Sequence, residues 1–589
     1  TGDTFKICGP NSPWRVATQM GFLPPRGTEN TVTNYQLFAG LKGDLGLSDW
    51  TWDAYISQGE SRTLTEYVGY VSSANYYAIM SAPNYGKGSS ITSSVSNKTF
   101  TCTSGLNPFA SVSGQPQVSQ DCINALVSNQ ADKQAMQQYE SQLNLQGGLF
   151  ELPAGQVRSA VGVSWRKNSY YFRPDSIRET ESVFDGPMGQ FGVANIDGTV
   201  SVKEVYGELL VPLLKDLPGV QNLELELGFR NSSYSTGQDV PTYKAQLSWQ
   251  PIDWVRFRGG YNRAERTPNI PELYTLPTTS SQLTTGADPC STTNGATLPN
   301  SNVATNPNRA ALQALCGAQI NLYGGNSASN FHLSPNNITL VPAVVTFRGD
   351  PGLKSEKGDT WTAGLVLQSP FDHALLQRTT MTIDWYSIRI KDAITVQSAQ
   401  FVLNACFNQD GTNPTYALND PGGYCSLIVR DAISGAVTST STKYANIGEN
   451  SVKGIDVAVR WSAAMADLGL ESVPGTLSLN LGTNFLLEQN QPVTVGGALQ
   501  DYAGYVGASK IRANTVLGYN VNENRFSLTW LYRLGTRGLG GDNRPTTLFA
   551  GYPTGNQFNL SAGRKMDKLD VSVNVSNLLN TKPGRAGYA

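Results

Sequence analysis

The stretch "TLSLNLGTNF", residues 476–485, decides how the chain is read: on an extended strand Leu477, Leu479 and Leu481 share one face, and Thr476, Ser478 and Asn480 share the other. The same period of two returns along the whole chain. In "VSVNVSN", Val571, Val573 and Val575 oppose Ser572, Asn574 and Ser576. In "NLELELGFR", Leu223, Leu225, Leu227 and Phe229 oppose Glu224, Glu226 and Arg230. "YKAQLSWQ" and "KGIDVAVRW" place Lys244 and Gln246, then Asp456 and Arg460, on the polar side.

A soluble antiparallel sheet with one wet face gives this alternation too, so the links between strands carry the distinction. They alternate in length. Tight links fall near 43–48, 152–155, 217–222, 251–253, 370–373, 520–524 and 565–568; long ones run over 62–143, 174–198, 267–355, 392–444, 489–505 and 535–555. The segment 463–474 is intermediate and stands where a short link is due. Short turns at one end and long loops at the other mark an outer-membrane barrel, with periplasmic turns and extracellular loops. The expected fold is therefore all-β: a transmembrane antiparallel β-barrel, with about 16 strands of roughly 10 to 18 residues visible.

Composition agrees. Charged residues make up only 15% of the 589, against about 25% in an ordinary soluble chain. Gly (59) and aromatic residues (10%) are plentiful. At about 150 residues per domain the length alone would suggest three or four soluble domains, yet the composition does not change from end to end. A net charge of −2 argues against a nucleic-acid partner. No uninterrupted apolar run is long enough for a membrane helix.

Six of the seven cysteines form neighbouring pairs: Cys102 with Cys122, Cys290 with Cys316, and Cys406 with Cys425. Each pair lies in a long link. With only two histidines, His332 and His373, a zinc site is not expected, and disulfides of an oxidising compartment are. Cys8 is left over, with a partner expected upstream of Thr1. The first residues do not read as a signal peptide. Strand direction, counted from the first short turn, leads to the expectation that both ends are truncated.

"RAERTPNIPELY", residues 263–274, closes one strand and carries two prolines. It resembles the Arg-x-x-x-Arg-x-Pro-Asn-x-x-Glu-Leu signature of TonB-dependent receptors. "GDPGLKSEKGDTWTAGLVLQ", "NIGENSVKGIDVAVRW" and "VSVNVSNLLNTKP" are similar to later segments of that family, with Asp350 and Ser355 where it favours Asn and Pro. The resemblance covers about the last 350 residues, and the first 200 agree in pattern only. It implies a 22-stranded barrel closed by an N-terminal plug, with residues 1–589 as the barrel domain lacking the plug and the last strand. It also implies an outer-membrane transporter of a Gram-negative bacterium, energised by TonB–ExbB–ExbD. The expected partners are outer-membrane lipid and lipopolysaccharide and a small solute, with no cofactor, no catalysis and a monomeric state.

Pro268 and Pro271 cannot donate ladder hydrogen bonds, so they should end the pairing and turn the chain over the barrel mouth. Arg263, Arg266, Asn269, Glu272 and Tyr274 would then line or brace that mouth, with an Arg266–Glu272 pair that simply holds the loop as the plainer role. Glu224, Glu226, Arg230, Lys244, Asp384 and Arg389 should face the lumen, because charge at mid-bilayer costs about 2 to 4 kcal/mol. Tyr323 and Tyr424 are further contact candidates, among loop aromatics that include Tyr70, Tyr76, Tyr77, Tyr85, Phe331 and Tyr416. Flat rings beside Asn, Gln and Asp suit sugar rings, and the loops carry no basic cluster of the kind an anionic ferric chelate would need. The cysteine-closed loops look most like those of glycan-type receptors. Oligosaccharide is thus the expected solute and ferric siderophore the alternative, with a passive porin or a secreted β-rich glycan-binding protein or hydrolase as other classes.

Overall fold

The computed structural model describes residues 21–93, 97–107, 117–179, 188, 190, 192–282, 288–290, 306–324, 343–373, 375–430, 432, 437–492, 497–538 and 551–582. Twenty strands hydrogen-bond into one sheet, and sixteen of them succeed one another as antiparallel neighbours to form a wall. These are β1 (Gly27–Asp44), β2 (Thr51–Val68), β3 (Gln130–Leu152), β4 (Gly155–Arg173), β5 (Ile196–Leu217), β6 (Val220–Tyr234), β7 (Asp239–Ile252) and β8 (Val255–Arg266). They continue with β9 (Glu356–Gln368), β10 (Thr379–Val396), β11 (Val437–Ala464), β12 (Thr476–Pro492), β13 (Ile511–Val521), β14 (Asn524–Arg533), β15 (Gly555–Met566) and β16 (Leu569–Val575). Among the described residues β1 and β16 are not paired with each other.

The register fixes what each face presents. Leu225 lies opposite Leu247, Leu247 opposite Gly259, Phe257 opposite Leu365, and Leu365 opposite Ile383, so one face is apolar from strand to strand. Aromatic residues cluster on it: Trp249 stacks on Phe257 at 5.3 Å, Tyr261 lies 4.7 Å from Trp361, and Trp530 lies over Phe558 at 6.3 Å. Exposed Leu, Val and Trp rows without a protein cover belong against lipid. The opposite face carries Glu224, Glu226, Lys244, Arg258, Asp384 and Asp456, and of these Lys244 pairs with Glu226, Arg258 with Asp384, and Asp456 with the Asn484 amide, as a lumen requires.

Two expectations about this alternation need correction. Arg389 shares the apolar face with Trp361 and Ile383, not the lumen face; it sits near the loop end of β10 and binds Glu449 at 2.6 Å. Arg263 is likewise on the outer face, opposite Asp359. Both stand on the loop side of the aromatic row, where the wall has risen into water and charge on that face is no longer penalised.

The two ends differ as the links imply, with one exception. Residues 153–154, 218–219, 253–254, 522–523 and 567–568 are two-residue turns at one end. At the other, the link between β6 and β7 is only residues 235–238, where a long loop is expected. Strands also run further into the loops than the sequence suggests: β2 reaches Val68 and β3 starts at Gln130, inside the segment 62–143 read as loop. Above the lipid band both faces meet water, so "DKQAMQQYESQ" has no apolar alternation to betray a strand.

Two compact cores lie in the loops. The first joins α1 (Ser73–Ser81) and α2 (Gln120–Leu126) around Val71, Ile79, Leu106 and Leu126. The second joins α4 (Arg309–Leu322) and α5 (Ala399–Cys406) around Leu312, Leu315, Val402, Leu403 and Phe407. Between them in sequence is α3 (Ile270–Tyr274). All three expected cysteine pairs are disulfides, one in the first core and two in the second. Cys8, Phe331 and His332 lie outside the described residues.

Candidate functional site: the barrel mouth

The stretch 263–274 builds the rim of the mouth. β8 ends at Arg266, and Asn269 caps the one-turn α3: its Oδ1 accepts from the Glu272 amide at 2.8 Å while Glu272 Oε2 accepts from the Asn269 amide at 2.7 Å. This reciprocal pair satisfies donors that a helix start leaves open, and Pro271 lacks one of them in any case. Arg266 forks between two carboxylates, donating to Glu272 at 3.0 and 3.0 Å and to Glu356 of β9 at 2.7 and 2.8 Å. Glu356 also accepts from the Ile394 amide of β10 at 2.6 Å. One guanidinium therefore ties a loop helix to three strands.

α3 reaches inward. A methyl group on Gly198, on the lumen face of β5, would meet Ile270 at 2.3 Å and Tyr274 at 2.6 Å, so the helix rests on bare backbone three strands from β8. The low β6–β7 link lies beneath it and is latched to the returning chain: Gln238 donates to the Leu353 carbonyl at 2.9 Å and Ser355 donates to Gln238 at 2.9 Å. The short link thus leaves room for α3 and for the returning chain at 349–355. Asp350 is held by Lys443 at 2.7 Å. Burial works against its ionised form, but the Lys443 ammonium and the Gly352 amide outweigh that and keep its pKa below the ordinary value.

Residues read from the sequence thus have distinct surroundings. Arg266, Asn269 and Glu272 are joined in the rim. Arg263 is apart from them on the outer face, donating to Asp359 at 2.6 Å. Tyr274 is half-buried beside Gly198. Tyr323 donates its hydroxyl to the Ile428 carbonyl at 2.7 Å, inside the second loop core. Tyr424 packs edge-on against Phe401 at 5.7 Å, and burial raises its pKa.

The second core contains groups that the sequence reading missed. Arg430 is buried, donates to Asp288 at 2.5 and 3.0 Å and to Gln319 at 2.7 Å, and lies 5.6 Å from the Phe407 ring. A signal for the helix beneath it was present: Leu312, Leu315, Cys316, Gln319 and Ile320 fall at i, i+3, i+4, i+7 and i+8. The ion pair itself joins residues 142 positions apart and has no local signature. Residues 343–348 run parallel to 439–443 at the top of β11, so this core is fastened to the wall by backbone hydrogen bonds. In the first core, Ser119 and Thr103 donate to Asp121, with Thr103 at 2.8 Å, and hold its carboxyl well below the usual carboxylate range. Tyr77 and Tyr85 are 62% and 51% exposed, the largest bare aromatic surfaces among the loop tyrosines singled out above.

Among the described residues no group of His, Cys, Asp or Glu is arranged to hold a metal ion.

A family model described as TonB dependent receptor-like, beta-barrel matches residues 9–578. No curated protein matches the chain. Among solved structures, the siderophore receptor PirA from Acinetobacter baumannii aligns at 12% identity with a TM-score of 0.52, over 95% of this chain and 60% of its own. A ferric enterobactin receptor from Pseudomonas aeruginosa aligns at 13% identity and a TM-score of 0.48, over 97% and 67%. The pyoverdine outer membrane receptor FpvA from Pseudomonas aeruginosa aligns at 11% and 0.47, over 94% and 58%. The first of these supports a shared fold, and the chain spans about 60% of that receptor's length.

Proposed function

The chain belongs to the TonB-dependent receptor β-barrel family, and from that premise we propose that it serves as the wall and cap of a receptor that captures a scarce solute and admits it when TonB acts on the plug. The site of action is the outer membrane of a Gram-negative bacterium, as for the family. TonB–ExbB–ExbD would supply the energy, lipopolysaccharide would surround the outer wall, and the receptor would act as a monomer without chemical catalysis.

The solute we propose is a neutral oligosaccharide. One observation carries this: three cations of the described loop residues are spent inside the protein. Arg178 is paired with Asp132, Arg430 with Asp288 and Lys443 with Asp350, leaving these charges committed to structure and not to an anionic chelate. The exposed rings of Tyr77 and Tyr85 meanwhile offer the apolar faces on which sugar rings stack. Tyr274 would add contacts from the rim and Tyr424 from the second loop core, while Arg266, Asn269 and Glu272 would hold the rim in its binding shape. Arg263 and Tyr323 would support the wall and the cap.

The test is a titration of the full-length receptor in detergent with malto-, xylo- and chito-oligosaccharides and, separately, with ferric siderophores. Saturable binding of a sugar, weakened about ten-fold when Tyr77 or Tyr85 is changed to Ala, is the expected result. Binding of iron chelates alone would overturn the solute class and leave the barrel and its energised mechanism standing.

A further inference from the structure

The lumen wall is not uniform around its circumference. On β5 to β8 and β10 it is ionic: Lys244 lies 2.6 Å from Glu226 and 3.2 Å from Glu208, Arg258 lies 2.6 Å from Asp384, and Glu204 accepts from Ser232 at 2.7 Å. Side chains here lean over the gaps left by glycines. A methyl group on Gly364 would meet Asp384 at 2.0 Å, and one on Gly228 would meet Lys244 at 2.7 Å.

From β12 to β15 the same face changes character. The register places Asn480 opposite Val516, Gly482 opposite Asn514, and Ser478 opposite Gly518. It continues with Val516 opposite Thr529, Gly518 opposite Ser527, Thr529 opposite Asn559, and Ser527 opposite Ser561. No ionisable group interrupts these rows. Charge returns only at the two ends, with Arg512 opposite Arg533 toward the loops and Arg525 bound to Asp570 at 2.6 Å toward the short turns. A methyl group on Gly482 would meet nothing within 4 Å, so open space stands before the middle of the strip. At its loop end Tyr505 and Tyr552 lie under Arg537 and Arg533 at 4.9 and 5.5 Å, with Tyr502 beside Tyr505 at 6.0 Å.

We infer that the lumen face of β12–β15 is the track along which the solute crosses, and that it takes a neutral, polyhydroxylated chain, entering past Tyr502, Tyr505 and Tyr552. This rests on the neutral-solute reading above and adds the route. Amides and hydroxyls both donate and accept, as a sugar hydroxyl does, and each exchange with water gains little. Weak, repeated contacts let a chain enter and still leave, which a fixed array of ion pairs does not. The ionic half instead suits a folded polypeptide with its own charges, the plug.

The experiment uses cells carrying the full-length receptor and fluorescent malto-, xylo- and chito-hexaoses, with binding read on de-energised cells and initial uptake on energised ones. Gly482→Trp, which needs no unusual backbone angle, should lower uptake about ten-fold at saturating sugar while the binding constant stays within about two-fold, a split between capture and transfer. Gly482→Ala should leave both unchanged. Retained binding shows that the variant is folded. Normal uptake by a sugar-binding Gly482→Trp receptor overturns the track alone, whereas a wild-type receptor that binds none of the three sugars overturns the neutral-solute reading and the track with it.

Discussion

Arg263 and Arg266 look alike in the sequence and serve different ends. Three positions apart on a strand, they must point to opposite faces. Arg263 faces outward to Asp359, and Arg266 faces the mouth, where Glu272 and Glu356 share it. The Asn269-x-x-Glu272 spacing is that of a capping box, a local signal for α3 that went unread in the sequence. What was not readable is Glu356, ninety residues downstream, since nothing local marks it as the partner. Arg266 is partly exposed, so its loss is discounted for solvent: Arg266→Ala should cost about 1–2 kcal/mol locally. Hydrogen exchange at the amides of Asn269, Gly349 and Asp350 should accelerate while the wall strands stay protected. Unchanged exchange there would show that the fork does not hold the rim.

At the scale of elements, the wall was legible and the cap was not. Alternation reveals strands where one face meets lipid, as on β6 and β12, and fails where both faces meet water, as at the start of β3. The loop cores depend on contacts between segments far apart, although the cysteines announced that something there was closed. In the second core Arg430, in the chain beyond α5, pairs with Asp288, two residues before Cys290, which the disulfide to Cys316 ties to α4. Removing one partner of so buried a pair leaves a bare charge and should cost about 3–5 kcal/mol, whereas replacing both by apolar residues should be close to neutral. Arg430→Met should therefore open the cap to proteolysis within residues 306–324 and 399–430, and Arg430→Met with Asp288→Leu should restore protection. If the single variant resists protease as well as the parent does, the pair is not what closes the cap.

For the whole molecule, a wall with an apolar outside, a two-sided lumen and a fastened cap fits the proposed device, one that captures at one end and releases at the other. The family membership was legible from four motifs in order, because they encode the rim and the strands β9, β11 and β16. The solute was not legible in the same way, since it is recognised by surfaces assembled from several loops. The most direct measurement is initial uptake of the best-binding labelled hexasaccharide by cells carrying the full-length receptor, with TonB present and with TonB deleted. Saturable uptake that vanishes without TonB while surface binding persists is the predicted result. Uptake that is linear in concentration and indifferent to TonB, or transport confined to ferric chelates, would contradict the account.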